Sequence, residues 1–297
     1  MNPNEIEKWR NAGKLAHKAL YFGKDLIKNK ASMLEITETI EKYVIENGGK
    51  LAFPTNLAIN DVGAHWTPSS KSTKVFKNGD LVKLDVGVHI DGYIGDNALT
   101  VEIGTHKYKK MIEASKEALN TAIEVASPGI NVGMIGHAVQ NTIESYGYKP
   151  ISNLTGHGIK RYNLHSGISV PSIGERGGSV LKSGDIIAIE PFVTDGAGRV
   201  GGKRNSNIYH MRQVRKIRDE KASKLMIEIQ ERYKGLPFAE RWLHSIQKDS
   251  AKNLQKLMRA GIISYYPVLD ELGKGMVTQS EHTIMITNNG IEVLTIE

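Results

Sequence analysis

The chain has 297 residues, 40% of them hydrophobic and 24% charged, enough for one large or two ordinary globular domains with a true core. No apolar run approaches the roughly 18 residues of a membrane span, and the opening MNPNEIEKWRNAGK lacks the basic-then-apolar layout of a secretory leader, so a cytoplasmic location is expected. Zero cysteines exclude disulfides and leave His and carboxylates as metal donors, while the net charge of +7, densest at Lys107 to Lys110 and Lys203 to Lys221, biases the protein toward anionic surroundings such as the ribosome. Base-stacking aromatics do not interleave with those basic residues, so no specific nucleic-acid partner is expected.

Along the chain, ITETIEKYVIENGGK (36 to 50) places Ile36, Ile40 and Val44 at helical spacing, with Gly48 as the stop. The turn-rich FPTNLAINDVGAHWTP follows, with Phe53 at its start and His65 near its end. Val82, Leu84, Val86, Val88 and Ile90 then alternate with Lys83, Asp85, Gly87 and His89, the period of a strand with one apolar face. Asp91-Gly92 is the residue pair that a two-residue type I′ turn demands, because both central positions need positive φ. That turn pairs Ile90 with Tyr93, Gly87 with Asp96 and Asp85 with Ala98. Asp85 and Asp96 then share one side of the hairpin as diagonal neighbours, with Cα atoms roughly 7–8 Å apart, and Gly87 leaves a gap beside them. Two carboxylates aimed into one gap require solvent, a basic partner or a metal ion.

Among the ten histidines, His17, His106, His137 and His244 read as surface or packing residues, and His89, close to the turn, as a surface residue. His157 is different: Gly156 and Gly158 flank it and allow a crowded approach, and His165 follows eight residues later. GAGRVG (196 to 201) satisfies the spacing of a dinucleotide-binding loop, but GKRNSNIYH follows in place of an amphipathic helix, so the segment reads as a loop.

The chain repeats itself. VFKNGDLVKLDVGV (75 to 88) matches VLKSGDIIAIEPFV (180 to 193) at an offset of 105, which places Glu190 on Asp85. Upstream, Ile36, Ile40, Val44 and Gly48 match Ile135, Val139, Ile143 and Gly147. The second return strand is delayed until MVTQSEHTIMIT (276 to 287), whose Glu281 falls on Asp96 with His282-Thr283-Ile284 on Asn97-Ala98-Leu99. Between about Ala197 and Gly275 the second hairpin is opened by an insertion in which EKASKLMIEIQERYKG and AERWLHSIQKDSAKNLQKLMRAG carry helical periodicity. Two such halves packed about a pseudo-twofold axis would bring Asp85, Asp96, Glu190 and Glu281 together. Four carboxylates in a partly buried place cost too much unless cations neutralise them, so the repeat turns the hairpin question toward a metal site.

The ordered series FPT, AHWTP, LDVGVHIDGYIGDNA, TGHGI, His165, IAIEPF and QSEHTI resembles the methionine aminopeptidases, of the "pita-bread" creatinase/aminopeptidase fold, over nearly the whole chain. The insertion before Glu281 is similar to type II members, and the short amino terminus resembles the archaeal form. The resemblance implies an α+β fold in which a single catalytic domain, 1 to 297, has two pseudo-symmetric helix-plus-antiparallel-sheet halves and a helical insertion subdomain at about 200 to 270. It implies two divalent ions, with Asp96 and Glu281 bridging them, His157 and Glu190 completing one shell and Asp85 chelating the other. It gives catalytic roles to His65, His165 and Glu190. Phe53, Ile208 and Tyr266, together with His65 and His165, would bind substrate, although a histidine stands at the Ile208 position in eukaryotic type II enzymes. Four carboxylates and one imidazole form a hard donor set that suits Co, Mn, Fe or Zn in open coordination.

The implied activity is removal of the initiator methionine from nascent polypeptides with a small second residue, by a cytoplasmic and monomeric enzyme working near the ribosome. Two alternatives stand beside it. One is another pita-bread peptidase, such as an X-Pro-cleaving or creatinase-like enzyme, although those relatives usually carry a large additional amino-terminal domain. The other is a non-catalytic RNA- or ribosome-binding protein of this fold, in which loss of metal ligands would be expected.

Overall fold

The computed structural model describes residues 1–297. Helix α1 (Pro3–Leu26) opens with a capping box, Asn2 accepting from the Glu5 amide and Glu5 accepting from the Asn2 amide, which satisfies two of the otherwise orphaned first-turn donors. Its glycine-containing face lies against the first hairpin so closely that a Cβ on Gly95 would stand 2.6 Å from the Gly13 Cα. Helix α2 (Met33–Glu46) follows, capped by Ser32, and ends before Gly48 at φ +84°. Ile36, Ile40 and Val44 are buried in it as their spacing predicts. Each contributes about 1.5–3 kcal/mol of burial before the cost of ordering the chain.

The first hairpin pairs Leu81–Ile90 with Tyr93–Glu102 in the register read from the turn: Ile90 opposite Tyr93, Gly87 opposite Asp96, Asp85 opposite Ala98. Asp91 at φ +52° and Gly92 at φ +87° form the turn. His89 departs from expectation. It is buried, because its Nδ1 accepts the Gly92 amide and its ring meets Tyr162 edge-on, so it closes the turn rather than facing solvent. Gly87 departs too: the space beside it is filled, and a Cβ there would stand 2.1 Å from the Phe53 ring.

The second half repeats the order. Helices α3 (Lys109–Val125) and α4 (Val132–Ser145) back a sheet of Thr155–Gly158, Ser169–Pro171, Ile186–Ile189, His282–Thr287 and Gly290–Val293. Ile135, Val139 and Ile143 are buried and Gly147 turns the chain at φ +80°, as in α2. The register differs from the sequence alignment, however. Ile189 faces His282 and Phe192 faces Gln279, so Glu190 lies directly opposite Glu281, whereas Asp85 and Asp96 are diagonal. A two-residue shift separates the hairpins, and it is already present on both sides of Pro191, which interrupts the strand between Ile189 and Phe192 without changing the register.

The halves meet at their return strands. Ala98 bridges Glu281 through backbone hydrogen bonds, Thr283 Oγ1 donates to the Asp96 carbonyl and accepts its amide at 2.8 Å each, and Thr100 Oγ1 donates to the Gln279 carbonyl at 2.8 Å. The insertion contains helices α5 (Glu220–Tyr233) and α6 (Ser250–Arg259), but the helical pattern over 239 to 261 breaks after a 3₁₀ segment, Glu240–Ser245. It also holds a three-stranded sheet of Asn205–Met211, Phe238–Ala239 and Ile263–Pro267, so it is mixed rather than helical. Its residues Leu225, Ile229, Phe238, Leu243, Leu254 and Leu257 form a core of their own.

Candidate metal and substrate site

All ten residues singled out in the sequence line one open cavity: Phe53, His65, Asp85, Asp96, His157, His165, Glu190, Ile208, Tyr266 and Glu281. The carboxylates come from the two hairpins and His157 from the strand Thr155–Gly158, whose glycines are required by close packing: a Cβ on Gly156 would stand 2.3 Å from the Ala188 carbonyl oxygen.

His157 Nε2 lies 3.6 Å from both Asp96 Oδ2 and Glu190 Oε1, and donor atoms of Asp96, His157 and Glu281 fall within 4.8 Å of one another. Its Nδ1 lies 3.4 Å from the Gly158 carbonyl; as donor there, it leaves the Nε2 lone pair facing the carboxylates. Asp85 Oδ1 and Asp96 Oδ1 are buried without any partner, and Gln279 Nε2 donates to Glu281 Oε2 at 3.2 Å.

Acceptors facing acceptors in a buried place repel. Burial raises the Asp85 carboxyl to about 7 and raises Asp96, Glu190 and Glu281 well above the carboxylate range, with the mutual repulsion of the group adding to the last three. Burial and then the neighbouring His165 lower His157 to about 3. The set therefore lacks positive charge at its centre, and the all-oxygen-plus-imidazole donors fit divalent cations.

The opposite wall is built differently. His65 sits at φ +58°, a left-handed conformation that costs a non-glycine residue about 1–2 kcal/mol. Its ring meets Tyr266 edge-on at 5.2 Å, and burial, followed by His165, lowers it to about 4, so it is neutral at physiological pH. His165 stands exposed at the rim, its ring 4.4 Å from that of His157. Phe53, Ile208 and Tyr266 supply apolar surface.

Sequence reasoning missed Asn56, which pairs with Asp85 across the sheet, and Ala64, Leu164 and Pro237 in the lining. It also missed Gln279 beside Glu281 and His210, whose ring lies 4.9 Å from Tyr266. Asn56 and Gln279 stand inside the quoted motifs FPTN and QSEHT and were legible there; His210 had no such signal.

Two helix-backed antiparallel halves with buried carboxylates and an imidazole between them define a metal-dependent hydrolase of the pita-bread type. Residues 7–288 match the metallopeptidase family M24, and the chain belongs to that family. It is 46% identical over 289 residues to a methionine aminopeptidase of Methanocaldococcus jannaschii, covering 97% of this chain and 98% of that one. It is 44% identical over 294 residues to a methionine aminopeptidase of Pyrococcus horikoshii, covering 98% and 99%. Among solved structures, a methionine aminopeptidase from Thermotoga maritima superposes with a TM-score of 0.73 at 28% identity, over 100% of this chain and 98% of that one.

Proposed function

We propose that the protein is a methionyl aminopeptidase that removes the initiator methionine from nascent polypeptides with a small second residue. The observation that carries this reading is the convergence of Asp85, Asp96, His157, Glu190 and Glu281 beside an apolar wall in one cavity. Asp96 and Glu281 would each reach both of two divalent ions, His157 and Glu190 would complete one shell, and Asp85 the other. When bound, such ions supply the acidity that makes water a nucleophile at neutral pH.

The chain's own groups do the rest. His65, a neutral imidazole, donates a hydrogen bond to the scissile carbonyl oxygen, and His165 at the rim orients the same amide. Glu190 passes a proton to the leaving amine. Phe53, Ile208 and Tyr266 hold a thioether side chain, which packs well against aromatic edges.

The test is release of free methionine from Met-Ala-Ser and Met-Lys-Ser by metal-stripped protein, with and without Co(II), Mn(II) or Fe(II). Metal-dependent cleavage of the first peptide with little of the second is expected. A folded protein that releases nothing with any of these ions would favour the non-catalytic reading.

The enzyme is further read as a cytoplasmic monomer working near the ribosome. No helix is long and apolar enough to cross a membrane. Residues 203 to 259 hold 15 of the 39 Lys and Arg but 6 of the 32 Asp and Glu, a surplus of nine positive charges, so the rest of the chain is net −2. This concentration on the insertion supports proximity to a polyanion.

A further inference from the structure

Thr67, two residues past His65, is fully buried and held at every polar atom. Its amide donates to the Ser206 carbonyl at 3.2 Å, and its carbonyl accepts from Asn207 Nδ2 at 2.9 Å. Its hydroxyl donates to the Thr55 carbonyl at 2.8 Å and accepts from Arg241 Nη1 at 3.0 Å. Arg241 Nη1 also donates to the Pro68 carbonyl at 3.0 Å. Three of these partners, Ser206, Asn207 and Arg241, belong to the insertion.

Arg241 is itself fixed. Its Nη2 donates to Glu41 Oε1, both side chains being almost wholly buried, and Glu41 also accepts from the Thr55 amide at 3.2 Å and from Trp242 Nε1 at 2.8 Å. The bonds close a ring, Glu41 to Arg241 to Thr67 to Thr55 and back to Glu41. Thr55 is two residues past Phe53, as Thr67 is two past His65, so one network holds both loops that bring the substrate wall to the cavity. Backbone in a sparsely populated conformation persists only where its surroundings over-determine it, and His65 at φ +58° has that requirement.

We propose that Arg241, anchored by Glu41, is a positioning residue for peptide cleavage that acts through His65, which makes the insertion a brace for the catalytic step. The inference rests on the reading of His65 as the group that binds the scissile amide. Arg241's planar fork spans the Glu41 carboxylate, the Thr67 hydroxyl and the Pro68 carbonyl together; a lysine ammonium keeps the charge but has no such fork. A misplacement of about 1 Å at a reacting group costs up to roughly a hundredfold in rate.

The experiment uses Mn(II)-loaded full-length protein and the peptide Met-Ala-Ser, comparing Arg241→Lys and Thr67→Val in the parent and in a His65→Ala background. In the parent, kcat is expected to fall about tenfold to a hundredfold, with KM and bound metal unchanged. In the His65→Ala background the same substitutions should change kcat by less than about twofold, the sign of a shared path. An equal loss in both backgrounds would make Arg241 a purely structural residue and overturn the proposal, as would parental kcat in both single variants. Failure of both variants to fold would likewise assign the network to stability alone. If His65→Ala keeps parental turnover with the other variants impaired, the role given to His65 fails and the proposal with it, whereas impaired His65→Ala turnover with equal losses in both backgrounds overturns the brace alone.

Discussion

The two hairpins that supply the carboxylates carry the same kinds of residue and are closed in opposite ways. The first turns in two residues, Asp91-Gly92, and that turn alone sets which residue faces which down the length of both strands. The second is interrupted at Pro191 and closes only after residues 195 to 276 have been threaded out and back. Its register is fixed instead by pairing with the first half, through the Ala98–Glu281 bridge and the Thr283 and Thr100 hydroxyls. The local hairpin buys geometric certainty for Asp85 and Asp96; the open one gives the insertion a route to the cavity. The proposed metal donors therefore come from the two sheets, and the side wall at Ile208 and Tyr266 from the segment that only one half contains.

Removing a carboxylate from either hairpin tests whether the difference in closure matters to the metal. Asp96→Ala and Glu281→Ala should each lower turnover by roughly 10³-fold or more, since the metal contributes several kcal/mol to the transition state, and should lose bound metal together with activity. Metal content read by atomic emission beside the Met-Ala-Ser assay checks this. Full activity in either variant would sink the dinuclear arrangement. His65→Ala and His165→Ala, on the substrate wall, should lower turnover with bound metal largely kept, and loss of metal from either would mark it as a ligand.

Stripping the metal exposes the repulsion that the two hairpins share. Asp85, Asp96, Glu190 and Glu281 have raised values in the folded chain, so they bind more protons there than in the unfolded chain. Their contribution is fully present below the ordinary carboxyl range near 4 and is lost as pH rises through about 7, where Asp85 titrates, and above it. Metal-free protein should accordingly lose urea stability between pH 5 and pH 8 relative to metal-loaded protein, and loading should release protons, measurable by calorimetry in two buffers of different ionisation enthalpy. A gap between the two forms that does not widen with pH would break the account.

Local chemistry explains what was legible in the sequence. Asp91-Gly92 fixes a turn, the turn fixes a register, and the register places Asp85 and Asp96, so the first half of the site follows from the chain one step at a time. The second half was legible through the repeat and the resemblance, which located Glu190 and Glu281 but gave their register two residues away from the pairing observed. That shift depends on where two halves dock, and no local pattern encodes docking. The strands of the insertion escaped for a related reason: Phe238–Ala239 is two residues long and is a strand only because it pairs along the edge of Asn205–Met211, whose other side pairs with Ile263–Pro267. Arg241 and Thr67 lie 174 residues apart and meet only in the folded chain. The same holds for Gly87, read as a gap, whose neighbour Phe53 arrives from outside the hairpin. Gly87→Ala should push Phe53 aside at a cost of about 1–3 kcal/mol and raise KM for Met-Ala-Ser more than it lowers kcat; an unchanged KM would take Phe53 out of the substrate pocket.

The smallest expected effect probes the turn that closes only the first hairpin. His89 is lowered to about 4, chiefly by burial and then by Lys50, and as a buried acceptor of the Gly92 amide it must be neutral to do so. In the unfolded chain the same imidazole titrates near 6.5, so between those values the unfolded state binds the proton that the folded state refuses. Stability from this group is present above about 6.5 and is lost as pH falls toward 4, the reverse of the sign for the carboxylates. From pH 7 to pH 5 the loss amounts to about 2 kcal/mol. Comparing urea unfolding of the parent and His89→Gln at the two pH values isolates it, because the carboxylate contribution is common to both proteins and cancels. The parent should lose more stability on acidification than the variant by about that amount; equal losses would mean that the turn is held by Asp91 and Gly92 without help from the imidazole beneath it.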